Sequence, residues 1–129
     1  MISGIVTAEI EAVVALRVRG PRNREFTTEV VIDTGFIGFL TFPSNVIADL
    51  ELPFAGVTIA QLGDGSMVRT NTFKVWILWD GNELEARVLE ADGGVLLGMS
   101  LLYGQRLTMD ILEGGAVTIT PLRELAIAS

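Results

Sequence analysis

The chain has 129 residues, half of them hydrophobic, with a mean hydropathy of +0.51 and a net charge of −7 at pH 7. This length suits one domain with a real core, and so apolar a composition predicts a chain that buries part of its surface against a second copy of itself. The excess of acids over bases excludes nucleic acid as a partner, because binding phosphate needs a basic patch.

Cysteine and histidine are both absent. This excludes disulfides, thiolate nucleophiles, serine–histidine triads and the zinc sites that these two residues build. Hydrolytic chemistry must then rest on carboxylates, Lys, Tyr, Ser or Thr, and we expect neither a metal ion nor a cofactor. Charged residues interrupt the N-terminal segment, and no apolar run approaches the roughly 18 residues of a membrane span, which predicts a cytoplasmic protein without a membrane segment.

The segment from Ile5 to Arg19 alternates apolar and polar residues with the period of a half-exposed strand. Glycine and proline at 20–23 turn the chain, and a return strand runs from Phe26 to Ile32. Residues 5–33 therefore predict one long hairpin that places an aspartate at its far end.

That aspartate belongs to an apolar run over residues 30–42, which contains the triplet Asp33, Thr34 and Gly35. A carboxylate expected in the interior must be hydrogen-bonded, protonated or paired, because burial without a partner disfavours its charged form. Such acids concentrate at active sites, so Asp33 is the first candidate for a catalytic residue. The same three residues also fit an ordinary turn between two strands.

A short strand follows at 38–42, and a helix begins at Pro43 and ends before Pro53. Strands at 57–62 and 67–73 then flank a tight hairpin tip, whose glycines permit positive φ angles. The tip consists of Gly63, Asp64, Gly65 and Ser66. Taken alone, this segment also fits an ordinary surface hairpin.

Residues 73–89 alternate on both sides of a turn at 80–82 and predict a second hairpin. Its tryptophans, Trp76 and Trp79, fit the core or a dimer surface better than a ligand cage. Asp92, Gly93 and Gly94 then bend the chain.

After this bend the chain carries two apolar residues and a glycine, Leu96, Leu97 and Gly98. A short helix is expected at 99–103, and two final strands at 106–111 and 116–119. We expect one domain over residues 1–120 and a C-terminal tail at 121–129.

Three of these elements, taken in order, resemble the retropepsin-like aspartic proteases: the apolar stretch with Asp-Thr-Gly, the glycine-tipped hairpin, and two apolar residues with glycine before a helix. The resemblance spans residues 5–120. It implies an all-β fold, an acid-protease-type closed β-barrel with a flap hairpin and one or two short helices. It further implies a homodimer that hydrolyses a polypeptide, with chain ends that pair with the other subunit.

The resemblance also implies roles for the triplet. The Asp33 carboxyls of two subunits would share one proton and activate a water molecule. The Thr34 hydroxyl would hydrogen-bond across the dimer, and Gly35 would leave its backbone N–H free to approach Asp33.

Further roles implied by the resemblance concern the two other elements. The tip at 63–66 would be the flap, which closes over an extended peptide and excludes water. Leu96 and Leu97 would form the second arm of an interlocked loop, and Gly98 would let the last helix pack closely against the triplet loop.

The sequence departs from the retroviral members of this family next to two of the motifs. Those enzymes have a small residue after the triplet, and an acid that pairs with an arginine after the late glycine. Here Phe36, Ile37 and Met99 take these places. We therefore expect a more apolar substrate pocket. Two alternatives stay open: a non-catalytic dimerisation or peptide-binding module with this fold, and an unrelated β-barrel with a coincidental triplet.

Overall fold

The computed structural model describes residues 1–61 and 64–123. In this part of the chain the strands are β1 (Ile2–Val6), β2 (Ala12–Arg19), β3 (Glu25–Ile32), β4 (Leu40–Phe42), β5 (Phe54–Gln61), β6 (Met67–Trp79), β7 (Asn82–Glu90), β8 (Leu96–Leu97), β9 (Gln105–Met109) and β10 (Ala116–Pro121). The helices are α1 (Ser44–Asp49) and α2 (Met99–Leu102). Gly63 of the predicted flap and residues 124–129 of the predicted tail lie outside the described residues.

Hydrogen bonds join these strands into one mixed sheet in the order β5-β6-β7-β4-β8-β3-β2-β1-β10-β9. Because β2 also pairs with β6, the strands β2, β3, β8, β4, β7 and β6 form a closed ring of neighbours. The β3–β8 and β4–β7 pairs are parallel. A mostly β chain with two short helices confirms the predicted fold class.

The hydrophobic core is formed by side chains on one face of most strands in the ring. Val14, Leu16 and Val18 of β2 are buried, while the residues between them point outward, as the alternating pattern predicted. Helix α1 adds Ile47 to the same cluster. Burying one such side chain contributes roughly 1.5–3 kcal/mol. None of the helices in the described part of the chain has the length and apolar character that crossing a membrane requires.

The N-terminal segment differs from the single strand predicted over residues 5–19. β1 and β2 are separate strands, joined by a tight turn in which the Thr7 N–H donates to the Glu11 carbonyl at 2.8 Å and Ile10 has a φ of 62°. The apolar alternation runs on through this turn and hides it. The predicted hairpin is therefore shorter and consists of β2 and β3.

The first strand, β1, pairs within the same chain: residues 2–5 lie beside β10, and residues 4–6 lie beside β2. The pairing of the first residues with another chain stays a prediction. At the other end of the order, β6 is continuous over the two strands that the sequence suggested. Its first half pairs with β5 and its second half with β7, so one strand carries both hairpins.

An ion pair between Arg19 and Glu83 lies where β2 pairs with β6 and closes the ring of strands. Arg19 of β2 lies opposite Trp76 of β6, with its guanidinium carbon 5.2 Å from the ring centroid. The same guanidinium donates to both carboxylate oxygens of Glu83, at 2.7 and 3.2 Å. The hydrogen bond from Arg19 lowers the pKa of Glu83, and the hydrogen bond to Glu83 raises that of Arg19.

The lowered pKa of Glu83 predicts a stability contribution that depends on pH. The folded chain binds the Glu83 proton less tightly than the unfolded chain, so the contribution is present above the unfolded pKa and is lost as pH falls through the folded pKa. We expect Glu83→Gln to melt below wild type near neutral pH and together with it in strong acid. Thermal melts across this range test the prediction. Glu29→Gln, which removes an exposed acid without an ion pair among the described residues, should show no such convergence.

Candidate functional site

The Asp-Thr-Gly triplet begins directly after β3. The backbone N–H of Asp33 donates to the carbonyl of Leu97 at 2.9 Å, which extends the parallel pairing of β3 with β8 by one residue. Its carboxylate Oδ1 accepts the N–H of Gly35 at 2.9 Å. The carboxylate is therefore hydrogen-bonded, as the sequence required. It is half-buried in the single chain, however, and not enclosed in the interior as predicted.

The other two residues of the triplet, Thr34 and Gly35, are exposed. A Cβ on Gly35 would lie 3.3 Å from the Asp33 Oδ1, tighter than most side-chain contacts. Glycine thus keeps the space beside the carboxylate open while its N–H binds the carboxylate. A turn that presents an acid, a hydroxyl and a bare backbone to solvent is one that a second molecule can contact.

The short strand β8 lies between the two strands that flank the triplet. Leu96 is opposite Val31 of β3, and Leu97 is opposite both Ile32 of β3 and Leu40 of β4. Leu97 is completely buried. The predicted loop-packing pair therefore fills the gap between the strand that enters the triplet and the strand that leaves it.

Gly98 brings the start of α2 against the triplet loop. A Cβ at this position would lie 2.2 Å from the carbonyl oxygen of Gly38 and 2.7 Å from that of Phe36. The N–H groups of Gly98 and Met99 donate to the carbonyls of Phe39 and Phe36 at 2.9 and 2.8 Å. The first turn of α2 is in this way bonded to the loop that follows Asp33.

Thr41 is a positioning residue that sequence reasoning missed. Its hydroxyl accepts the N–H of Leu96 at 3.0 Å and donates to the carbonyl of Gly94 at 3.3 Å, so it fixes the chain on its way into β8. It is one of two buried polar side chains among the described residues. A threonine inside the apolar stretch Phe39–Phe42 was the available signal, since a buried hydroxyl needs partners.

A cavity of about 820 Å³ lies between the triplet loop and the hairpin strand β5. One wall is formed by residues 35–39, which follow Asp33, and the opposite wall by residues 55–59 of β5. Thr72, Arg87 and Leu89 of β6 and β7 also line it. The cavity reaches the triplet through Gly35, and Asp33 is not among its lining residues in the single chain.

The hairpin of β5 and β6 is joined to the sheet through β6 alone, and β5 is the edge strand. The pairing shifts register between Phe54 and Gly56, and Gly56 has a φ of +127°. At the tip, Asp64 Oδ1 accepts the hydroxyl and the N–H of Ser66 at 2.6 and 2.9 Å. The hydroxyl hydrogen bond is the main cause of the lowered pKa of Asp64. The two hydrogen bonds between Asp64 and Ser66 favour one conformation of the hairpin tip.

Exposed apolar side chains lie beside the triplet. Ile37 belongs to the loop that follows Asp33 and is 80% exposed, and Met99, whose N–H donates to the carbonyl of Phe36 in that loop, is 45% exposed. The hydroxyl of Ser100 donates to the carbonyl of Ile37, which holds the triplet loop beside α2. Exposed apolar surface of this kind next to a polar turn is typical of a contact with another protein. Among residues 1–61 and 64–123, no three acidic side chains come together in a group that could hold a metal ion.

Comparison with known proteins gives one informative result. No protein-family model and no curated protein matches the sequence. Among solved structures, the chain is similar to one titled EIAV protease complexed with the inhibitor HBY-793, with a TM-score of 0.54 and 20% identity. The similarity covers 74% of this chain and 88% of that one. At this identity the likeness shows the fold alone, and the chain has a retropepsin-like fold.

Proposed function

We propose that the chain is one subunit of a homodimeric aspartic endopeptidase. The observation that carries this proposal is the position of the triplet. Asp33 follows β3, is held by backbone hydrogen bonds to Leu97 and Gly35, and stands beside a cavity that a two-stranded hairpin borders. The fold shared with a retroviral protease supports the same conclusion.

The chemistry needs two carboxyl groups, and the chain has a single Asp-Thr-Gly triplet. In the proposed dimer the two Asp33 carboxyls lie side by side and hold one proton between them. The ionised carboxylate removes a proton from a water molecule, whose oxygen attacks the carbonyl carbon of the peptide bond. The protonated carboxyl gives its proton to the carbonyl oxygen, and proton transfer to the amide nitrogen then releases the amine.

The surface around the triplet supports the contribution of a second chain. Ile37 and Met99 would leave water on assembly, and their burial would favour the dimer. Thr34 is exposed and free to reach the partner's triplet. In the proposed dimer the partner's triplet would complete the site beside the cavity, which Gly35 lines and Asp33 does not.

A mixed peptide library tests the proposal directly. Wild type and Asp33→Asn are incubated with the library over a range of acidity, and the products are identified by mass spectrometry. We expect cleavage by wild type and none by the variant. If both proteins are equally inert while wild type dimerises and binds peptides, the chain is a non-catalytic peptide-binding module with this fold.

The hairpin tip yields a further prediction with a matched control. Gly65 and Gly81 have φ values of +88° and +85°, and a Cβ on either would meet no atom of the described residues within 4 Å. Replacing either by valine should therefore cost only backbone strain, roughly 1–2 kcal/mol. Since Gly65 belongs to the proposed flap and Gly81 to the distant β6–β7 turn, only Gly65→Val should lower kcat/KM strongly.

Urea unfolding and peptide-cleavage assays of the two variants separate these effects. Equal losses of stability with unequal losses of activity are expected. Equal losses of activity would mean that the tip at Asp64–Ser66 has no special part in turnover.

A further inference from the structure

The cavity beside the triplet is apolar with one charge in its wall. Of the fifteen described residues that line it, Arg87 is the only one that is ionised. The others are glycines, apolar residues and uncharged polar residues such as Thr58, Gln61 and Ser100. A single cation in an apolar wall selects the charge of a molecule that binds in the cavity, because it attracts an anionic group and repels a cationic one.

The pairing of β6 with β7 shows that Arg87 faces the cavity and has a second cation beside it. Val75 of β6 and Val88 of β7 are fully buried, so the face of this hairpin that carries them packs into the core. Residues opposite each other across an antiparallel pair share a face. Arg87 is opposite Lys74, on the face that also presents the cavity residues Thr72 and Leu89.

Two like charges in this position are unfavourable for the free chain. Three arginines outside the cavity, Arg17, Arg19 and Arg22, each form an ion pair with a glutamate. Neither Lys74 nor Arg87 has an ion pair within the described residues, although the chain carries sixteen acids. Glu85 is the nearest acid along β7 on this face, and it is not paired with Arg87.

We propose that Arg87, with Lys74 behind it, forms a subsite for an acidic side chain of the polypeptide that occupies the cavity. The guanidinium has two parallel N–H donors that match a carboxylate, and the apolar walls reduce competition from water. The backbone of the occupant would lie against β5, whose outer edge pairs with no other strand of residues 1–61 and 64–123. This inference rests on the proposed function, because it assigns a specificity to the same cavity.

Cleavage of the peptide library by wild type, Arg87→Gln and Arg87→Glu tests the subsite. Wild-type products should be enriched in glutamate or aspartate at one fixed distance from the cleaved bond. Arg87→Gln should reduce that preference by roughly tenfold, the size expected for one charge-assisted hydrogen bond, and Arg87→Glu should shift it to lysine or arginine. Arg106→Gln, which removes an exposed charge on β9 outside the cavity, should keep the wild-type preference.

Binding and stability measurements keep this inference separate from the proposed function. In the Asp33→Asn background, a fluorescent glutamate-rich peptide should bind more tightly than its glutamine counterpart, and Arg87→Gln should remove the difference. This result would support the subsite even if wild type cleaves nothing. Arg87→Gln should melt at or above wild type, because it relieves repulsion with Lys74. An unchanged preference in Arg87→Gln, or a markedly lower melting temperature, would overturn the proposal.

Discussion

Asp33→Asn is expected to lower turnover by roughly 10³-fold or more, because it removes the group that exchanges protons with water and substrate. The folded chain should tolerate the change. The one hydrogen bond that the carboxylate accepts from the described residues, donated by the N–H of Gly35, can be accepted equally well by an amide oxygen. We therefore expect an unfolding free energy within about 1 kcal/mol of wild type. Activity assays and urea titrations of the two proteins measure both quantities.

Mixing the two proteins tests whether the site is shared between chains. If each site needs Asp33 from both subunits, random pairing of equal amounts leaves roughly a quarter of all dimers with two aspartates. After exchange of subunits, the activity should fall to about half of that given by the same amount of wild type alone. If each chain had a complete site of its own, adding the variant would not change the activity of the wild-type protein. Asp49→Asn, which changes an exposed acid at the end of α1, is a matched control: because it should stay active, its mixture with wild type should have about twice the activity of the wild type alone.

The sequence was sufficient to predict the elements that local patterns specify. Alternating apolar residues predicted β2, β6 and β7, and prolines at 43 and 53 bounded the segment that holds α1. It failed at the N-terminus, because periodicity reports which face of a strand is buried and does not report where pairing changes. The turn between β1 and β2 continues the alternation, and its Ile10 has a backbone conformation that no sequence rule assigns to isoleucine.

In the candidate site, too, the local motifs were predictable from the sequence and the long-range arrangement was not. The triplet and the glycine at 98 are local motifs, whereas the cavity joins segments that are far apart in the sequence. Thr72 and Arg87 line it because β6 and β7 pair in one particular register, and a shift of β7 by one residue would turn Arg87 to the core face. Tertiary pairing, which the sequence alone does not reveal, therefore determines the charge of the cavity.

The burial of Asp33 is a second case in which the tertiary structure differs from what the apolar sequence neighbours suggested. Its neighbours Ile32 and Phe36 are apolar, yet both are only half-buried in the single chain. The apolar stretch includes surface that one chain leaves open beside the triplet, of which Ile37 is the clearest example. In the proposed dimer this surface is covered, so the hydrophobicity that suggested an interior describes the assembly better than the subunit.

The final prediction concerns Gly98 and has the largest expected effect on stability. A methyl group at this position would meet the carbonyl oxygens of Gly38 and Phe36 at 2.2 and 2.7 Å and a ring carbon of Phe36 at 2.6 Å. The ring can rotate, but the two carbonyls belong to the loop that follows Asp33 and are fixed by hydrogen bonds to α2. Gly98→Ala must therefore move α2 away from the triplet loop.

We expect this displacement to cost roughly 3 kcal/mol of unfolding free energy, at the upper end of the usual cost of overpacking. Turnover should fall as well, because Leu97, whose carbonyl binds the N–H of Asp33, is the residue next to the substitution. Gly94→Ala provides the control, since a Cβ there would meet no atom within 4 Å in the part of the chain that the structure describes, and its φ lies outside the left-handed region. That variant should stay within about 0.5 kcal/mol of wild type and keep its activity. Urea titrations give the stabilities of both variants. If Gly98→Ala unfolds at the same urea concentration as Gly94→Ala, the close packing of α2 on the triplet loop does not hold Asp33 in place.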